Sequence, residues 1–255
     1  MTKSKLLAVL LLVLGCVPRL QASPVRDLQR ELGVGDPGWK VTKETDTTLM
    51  WMTPDQVVIA LMICDDKAPG QNPHRLKQFQ AYYREMASAG HGGLVEAEPH
   101  TADDMLFNLV TFKYPIGEMK SPPDDTPGYA YQVSAMIPTT KGTYMLQAMA
   151  LDDRQKVTGT REAVGIIIYM KERGIRDVLT ASKTFYRDPY DPAFNEGAKS
   201  AFSDERRFDK DFPDHPLSVS RAWMDALLKT WTIPERIQKI ARFHEGKHKA
   251  GQPGP

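Results

Sequence analysis

The sequence predicts an α+β fold, an antiparallel sheet covered by helices in an α/β/α sandwich-like arrangement, with a helical C-terminal extension. Three observations carry that expectation. Several segments alternate apolar and polar residues at the strand period of two, two of them as a long hairpin. One internal run, 57–63, is wholly apolar, as in a strand buried on both faces. Helix-period stretches fall before, between and after the strands without strict βα alternation, which disfavours a parallel sheet.

The elements follow in chain order. Residues 23–33 read as a short helix with Leu28 and Leu32 on one face and Gly33 as the stop. Residues 39–45, 48–53 and 56–64 read as three strands, with Pro54 and Asp55 turning between the second and third. Asn72 and Pro73 supply an N-cap and a first-turn proline, and Leu76, Phe79, Tyr83 and Met86 follow at helical spacing up to Gly90. After the loop Gly90-His91-Gly92-Gly93, residues 94–98 and 105–114 read as strands, and the proline- and acid-rich 115–127 reads as a surface loop.

Tyr129, Tyr131, Val133, Ala135 and Ile137 share one face of the next strand, and Tyr144, Leu146, Ala148 and Ala150 repeat the alternation after a turn at 138–142. Residues 160–173 read as a helix ending at Gly174, although Ile166-Ile167-Ile168 suits a strand equally. Residues 181–216 read as a long ordered extension, because Phe185, Tyr186, Tyr190, Phe194, Phe202, Phe208 and Phe212 supply apolar mass that disordered segments lack. An amphipathic helix at 217–231 and another from Pro234 to a basic tail complete the chain. The expected organisation is a leader at 1–22, a sandwich domain at 23–184, and an extended loop with C-terminal helices at 185–255.

The run Gly38-Trp39-Lys40-Val41-Thr42, the buried 57–63 strand, the helix from Pro73, and the strands Phe107-Asn108-Leu109-Val110-Thr111-Phe112, Gly128-Tyr129-Ala130-Tyr131-Gln132-Val133 and Gly142-Thr143-Tyr144-Met145-Leu146 resemble, in their order, the PsbP/Mog1/DcrB-like superfamily over residues 39–184. The resemblance implies an exported accessory or binding protein, several such proteins being lipoproteins, and it supplies no shared catalytic residues. The chain beyond Thr184 departs from that pattern.

Lys3 and Lys5 precede an apolar run over 6–17 closed by Pro18 and Arg19, the n- and h-regions of a secretion signal. Two processing readings stand side by side. Cleavage after Ala22 is preferred and yields a periplasmic or extracellular protein. The alternative takes Val13-Leu14-Gly15-Cys16 as a lipobox, with acyl chains on Cys16 anchoring a lipoprotein to the membrane. Without Lys3, Lys5 and Arg19 the 33 basic residues become 30 against 32 acidic ones, a net charge of about −2, which argues against nucleic acid as a partner. Only Cys64 survives cleavage after Ala22, so the core of the mature chain rests on packing without an internal disulfide.

The strong catalytic and nucleotide-binding signatures are absent, and no motif asks for a cofactor or a resident metal. Cys64 ends an apolar strand; its reading as a core residue outweighs that of a thiol served by His91 or His100. His91 and His100 flank one strand, where with Asp103 or Asp104 they offer metal-ligand chemistry, but their spacing matches no standard ligand pair. The sharpest cluster lies at 204–216, where Asp204, Glu205, Asp209, Asp211 and Asp214 crowd around Arg206, Arg207, Lys210 and His215. There Asp214 can orient His215 as a general base, or the charges can lock the extension in place.

The function expected from these features is that of an exported envelope accessory or binding protein without catalytic activity, its partner a protein or small ligand in the envelope. The alternatives are an exported metal-assisted hydrolase using His215 and Asp214 with His91 or His100, and an immunity or inhibitor protein acting in the envelope.

Overall fold

The computed structural model describes residues 23–32, 38–64, 76–102, 105–116, 128–139, 142–151 and 155–230. The leader with Cys16 and Ala22, the Asn72-Pro73 cap, Asp103 and Asp104, the 117–127 part of the acidic loop, and the chain from Trp231 onward lie outside the described residues.

Helix α1 (Pro24–Glu31) leads into strands β1 (Lys40–Glu44), β2 (Thr48–Met52) and β3 (Val58–Cys64). Helix α2 (Leu76–Ala89) crosses to the far edge, where β4 (Gly93–Ala102), β5 (Met105–Ile116), β6 (Gly128–Thr139) and β7 (Gly142–Leu151) return as a meander. One seven-stranded sheet results, in the order β1-β2-β3-β7-β6-β5-β4, with every neighbouring pair antiparallel. The apolar run at 57–63 takes its place between β2 and β7, where Val57, Ile59, Ala60 and Leu61 are buried and Val58, Met62 and Ile63 are half-buried.

The pleat sorts side chains onto two faces. One carries Leu49, Trp51, Ile59, Leu61, Leu109, Val133, Leu146 and Ala148 and packs against Val25, Leu28 and Leu32 of α1 and Met224 and Leu227 of α5 (Pro216–Thr230). The other carries Leu94, Ala97, Val110, Phe112 and Met136 under Phe79, Tyr83 and Ala87 of α2. The chain is therefore an α+β sandwich, as its pattern of elements predicts.

Two expectations need correction and one is borne out. On α2 the buried stripe is Phe79, Tyr83 and Ala87, while Leu76 and Met86 are exposed. The α2-covered face is already filled by Phe112 and the rings of Phe79 and Tyr83, which leaves room for a methyl group at the third contact. The helix expected at 160–173 is borne out, with Ile166-Ile167-Ile168 inside α3 (Gln155–Arg173), which starts earlier than expected. The extension does not begin as a loop at 181, because α4 (Val178–Phe185) runs through that point, capped by Asp177, whose carboxylate accepts from the Thr180 N–H.

The remainder of the extension is ordered through a two-stranded ribbon, β8 (Tyr186–Arg187) and β9 (Ser200–Ala201), and two 3₁₀ turns, Phe202–Asp204 and Arg206–Phe208. Phe185 is fully buried with Tyr169 of α3 and Phe202 and Phe208 of the turns, so residues on both sides of position 184/185 share one core cluster. Among the described residues no helix is long and apolar enough to cross a membrane.

Candidate functional site

β4 is an edge strand, and the extension covers it. Ala97 points its N–H and C=O away from β5: the N–H donates to the Tyr190 hydroxyl at 2.6 Å and the C=O accepts from Gln80 Nε2. Pro99, two residues on, faces the same way and has no N–H to offer, a device that keeps an edge from recruiting another strand. Arg84 Nε anchors the extension through Asp188 at 3.0 Å. At the start of β4 the chains cross backbone to backbone, with the Ala198 N–H donating to the His91 carbonyl. A methyl group on Gly93 would overlap the Ala198 carbonyl there.

A bulge between Leu94 and Glu96 shifts the register of β4 against β5. Glu96 thereby meets Thr111 and joins a buried ionic network with the extension. Its carboxylate accepts from Arg221 Nη2 at 3.3 Å and Arg206 Nε at 3.1 Å. Arg221 Nη1 also donates to both oxygens of Asp209 and to the Asp204 carbonyl. Arg161 of α3, wholly buried, donates from Nε to the Ser203 carbonyl, from Nη1 to Ser218 Oγ, and from Nη2 to the Glu205 carbonyl and Asp209.

Beside it, Lys113 Nζ lies 3.2 Å from Glu162 and 3.6 Å from Asp204, over the Tyr129 ring at 4.3 Å. Burial alone would depress this ammonium. Asp204, the two phenols and Glu162 outweigh that penalty and hold it well above its ordinary value.

Above the network opens a cleft of about 290 Å³ between β4 and the extension. Val95, Pro189 and Phe202 give it apolar wall, and Glu96, Glu98, Arg187, Tyr190, Asp204 and Arg221 give it polar wall. Burial raises the Tyr190 phenol, so it stands neutral at physiological pH. Arg187 is exposed at the cleft without an ion-pair partner among the described residues. Arg221 is 4% exposed, and its Nε–H has no acceptor among them. A buried guanidinium N–H without a partner is uncommon and asks for an explanation.

Of the residues singled out from the sequence, Asp204, Glu205 and Arg206 line this cleft, whereas the histidines, Cys64 and Asp214 do not. His215 is 1% exposed, packed against the Tyr131 ring, and its Nδ1 accepts from the Leu217 N–H at 3.2 Å. With that acceptor occupied, the ring carries its proton on Nε2 and has no lone pair left for general-base work. Burial, then the charges of Arg161 and Lys113, lowers its pKa to about 3. Asp214 is exposed and makes no hydrogen bond to His215 among the described residues.

His91 and His100 are both exposed, at opposite ends of β4. The extended run from Gly93 to His100 alone spans on the order of 20 Å, so they cannot share a ligand. Cys64 sits half-buried in the cluster under α2, four strand spacings from β4, roughly 19 Å from any imidazole on that strand. Among the described residues no three metal-ligating side chains gather. Of the 204–216 cluster, Asp204 and Asp209 work as a lock on the extension.

Lys113, Arg161, Glu162 and Arg221 are the residues that sequence reasoning missed. Lys113 had a signal, since alternation along β5 puts it on the inward face of Phe107 and Leu109. The chain matches no protein-family model and no curated protein sequence.

Proposed function

We propose that this chain is an exported accessory or binding protein of the cell envelope, without catalytic activity, that holds a small ligand or a partner's chain end in the cleft between β4 and the extension. The leader at 1–22 and the likeness in element order to the PsbP/Mog1/DcrB-like superfamily support export and an accessory role. The observation that carries the binding role is the cleft itself, with the exposed guanidiniums of Arg187 and Arg206 on its wall and Arg187 without an ion-pair partner among the described residues. Glu96, Asp204, Arg206 and Arg221 of the wall are held by ion pairs before any ligand arrives, which lowers the ordering penalty of binding. Two guanidiniums match a carboxylate or another oxygen-rich anionic group. His215, with its acceptor nitrogen occupied, supports binding over general-base hydrolysis.

Native mass spectrometry of the protein recovered from the envelope fraction tests this reading. It is expected to carry a stoichiometric small molecule or protein partner that Arg187→Glu releases, and the intact mass decides between cleavage after Ala22 and acylation of Cys16. A hydrolytic turnover abolished by His215→Ala would overturn the non-catalytic reading. Retention of the bound species by Arg187→Glu would remove the ligand from this cleft.

A further inference from the structure

We propose that the corner where α3 meets α4 docks on an anionic phospholipid surface. The corner exposes large aliphatic side chains that the fold leaves uncovered: Leu179 is 75% exposed, Ile167 65% and Val178 54%. Scattered apolar residues on a surface are ordinary. The cations around these three set them apart.

Lys171 and Arg173 occupy the last turn of α3, with Lys171 one turn beyond Ile167. Arg176 sits in the link just before Val178 and Leu179, and Lys183 stands one turn beyond Leu179 on α4. The acids of this stretch are engaged. Glu172 accepts from both terminal nitrogens of Arg207 at 2.8 and 3.1 Å, and Asp177 accepts from the backbone and hydroxyl of Thr180. Lys171, Arg176 and Lys183 form no ion pair among the described residues, and Arg173 lies over the Tyr169 ring.

The corner is also held in one shape. The Tyr169 hydroxyl donates to Thr184 Oγ1 at 2.9 Å, Tyr169 packs edge-on against Phe185, and the Ile175 N–H closes the end of α3 on the Met170 carbonyl. Gly174, at φ +66°, makes that turn without strain.

Exposed aliphatics with unpaired cations one helical turn away are the two ingredients of interfacial binding: side chains that enter the acyl boundary, and charges that follow the negative surface potential. A protein partner of matching acidity would need a larger apolar patch than three side chains provide. Arg and Lys at this surface select phosphate-bearing anionic headgroups over neutral ones.

Sedimentation with vesicles tests the proposal, using phosphatidylcholine alone and phosphatidylcholine mixed equally with phosphatidylglycerol. The protein is taken in its processed form with its intact mass recorded, so that any acyl chain is common to every variant. Binding to the anionic vesicles is expected to exceed binding to neutral ones and to fall with added salt. Arg176→Ala and Lys183→Ala are each expected to weaken it roughly fivefold, the worth of one cation near such a surface.

Leu179→Trp reports insertion directly. Its emission is expected to shift to the blue on anionic vesicles and to stay unshifted on neutral ones. An unshifted emission on anionic vesicles, equal binding to both vesicle types, or wild-type binding by Leu179→Asp would each overturn the proposal. So would a concentration-dependent dimer lost in Leu179→Asp, which would assign the corner to a second copy of the chain.

Discussion

His215 illustrates how one side chain changes role between sequence and structure. In the sequence it stands in a crowd of carboxylates, where a general base oriented by Asp214 and a structural lock at a helix entry are both open readings. In the fold it is a helix-entry residue: its Nδ1 caps the Leu217 N–H at the start of α5, and its ring fills space beside Tyr131. Adjacent Asp214, the orienting partner suggested by sequence proximity, points to solvent, because neighbours in a turn diverge. Its pKa has a consequence for stability. Unfolded, the imidazole takes a proton near pH 6.5; folded, it resists until about pH 3. Between those values the unfolded chain binds a proton that the folded chain does not, so stability falls as pH drops through this window. From pH 7 to pH 5 that difference amounts to about 2 kcal/mol. His215→Asn, whose amide oxygen can accept from Leu217, is expected to lose that increment. Urea unfolding of both proteins at the two pH values checks it, and equal acid sensitivity would show that His215 does not titrate with unfolding.

Elements were legible wherever a period or a cap was written locally. The alternation at 129–137 and 144–150 placed β6 and β7, and the unbroken apolar run placed β3 within the sheet. α4 was missed because an eight-residue helix of Thr, Ser and Lys around two buried residues, Ala181 and Phe185, has little stripe to read. Its one local signal was Asp177 three residues ahead of Thr180, a cap that becomes persuasive only once Phe185 is known to be buried. The glycines at 90–93 carried a meaning that composition alone does not reveal. Gly93 lets the extension cross the start of β4 in backbone contact, and Gly197, at φ +68°, turns the crossing strand. Gly93→Ala is therefore expected to destabilise the protein by roughly 1–3 kcal/mol, the usual range for overpacking. It should also open the 188–200 segment to protease before the sheet unfolds. A denaturation midpoint and cleavage pattern equal to wild type would mean that the crossing yields without strain.

At the scale of the whole molecule, the sandwich and its extension share a core cluster and an ionic network. A boundary at 184/185 was a reasonable reading of a change in texture, from periodic segments to Pro, Asp and Phe. Texture does not record which charges meet in space. Arg161, Lys113, Asp204, Asp209 and Arg221 are spread over more than a hundred residues, so no window of sequence can show them as a set. Arg161 is the joint among them, since its fork reaches Ser203, Glu205 and Asp209 of the extension and Ser218 of α5 from a position with no solvent exposure. Removing it leaves two buried or half-buried carbonyls and a hydroxyl without their donor and Asp209 with Arg221 as its remaining cation, at about 3–5 kcal/mol. Arg161→Met is expected to lower stability by that amount, and Arg161→Lys to recover little of it, because an ammonium cannot fork to four acceptors. Both variants should still unfold in one transition, with tryptophan emission and far-ultraviolet circular dichroism moving together. If Arg161→Met instead released the extension at low denaturant while the sheet kept its wild-type midpoint, the extension would be a separable module. The cleft would then be an opening between two parts able to come apart.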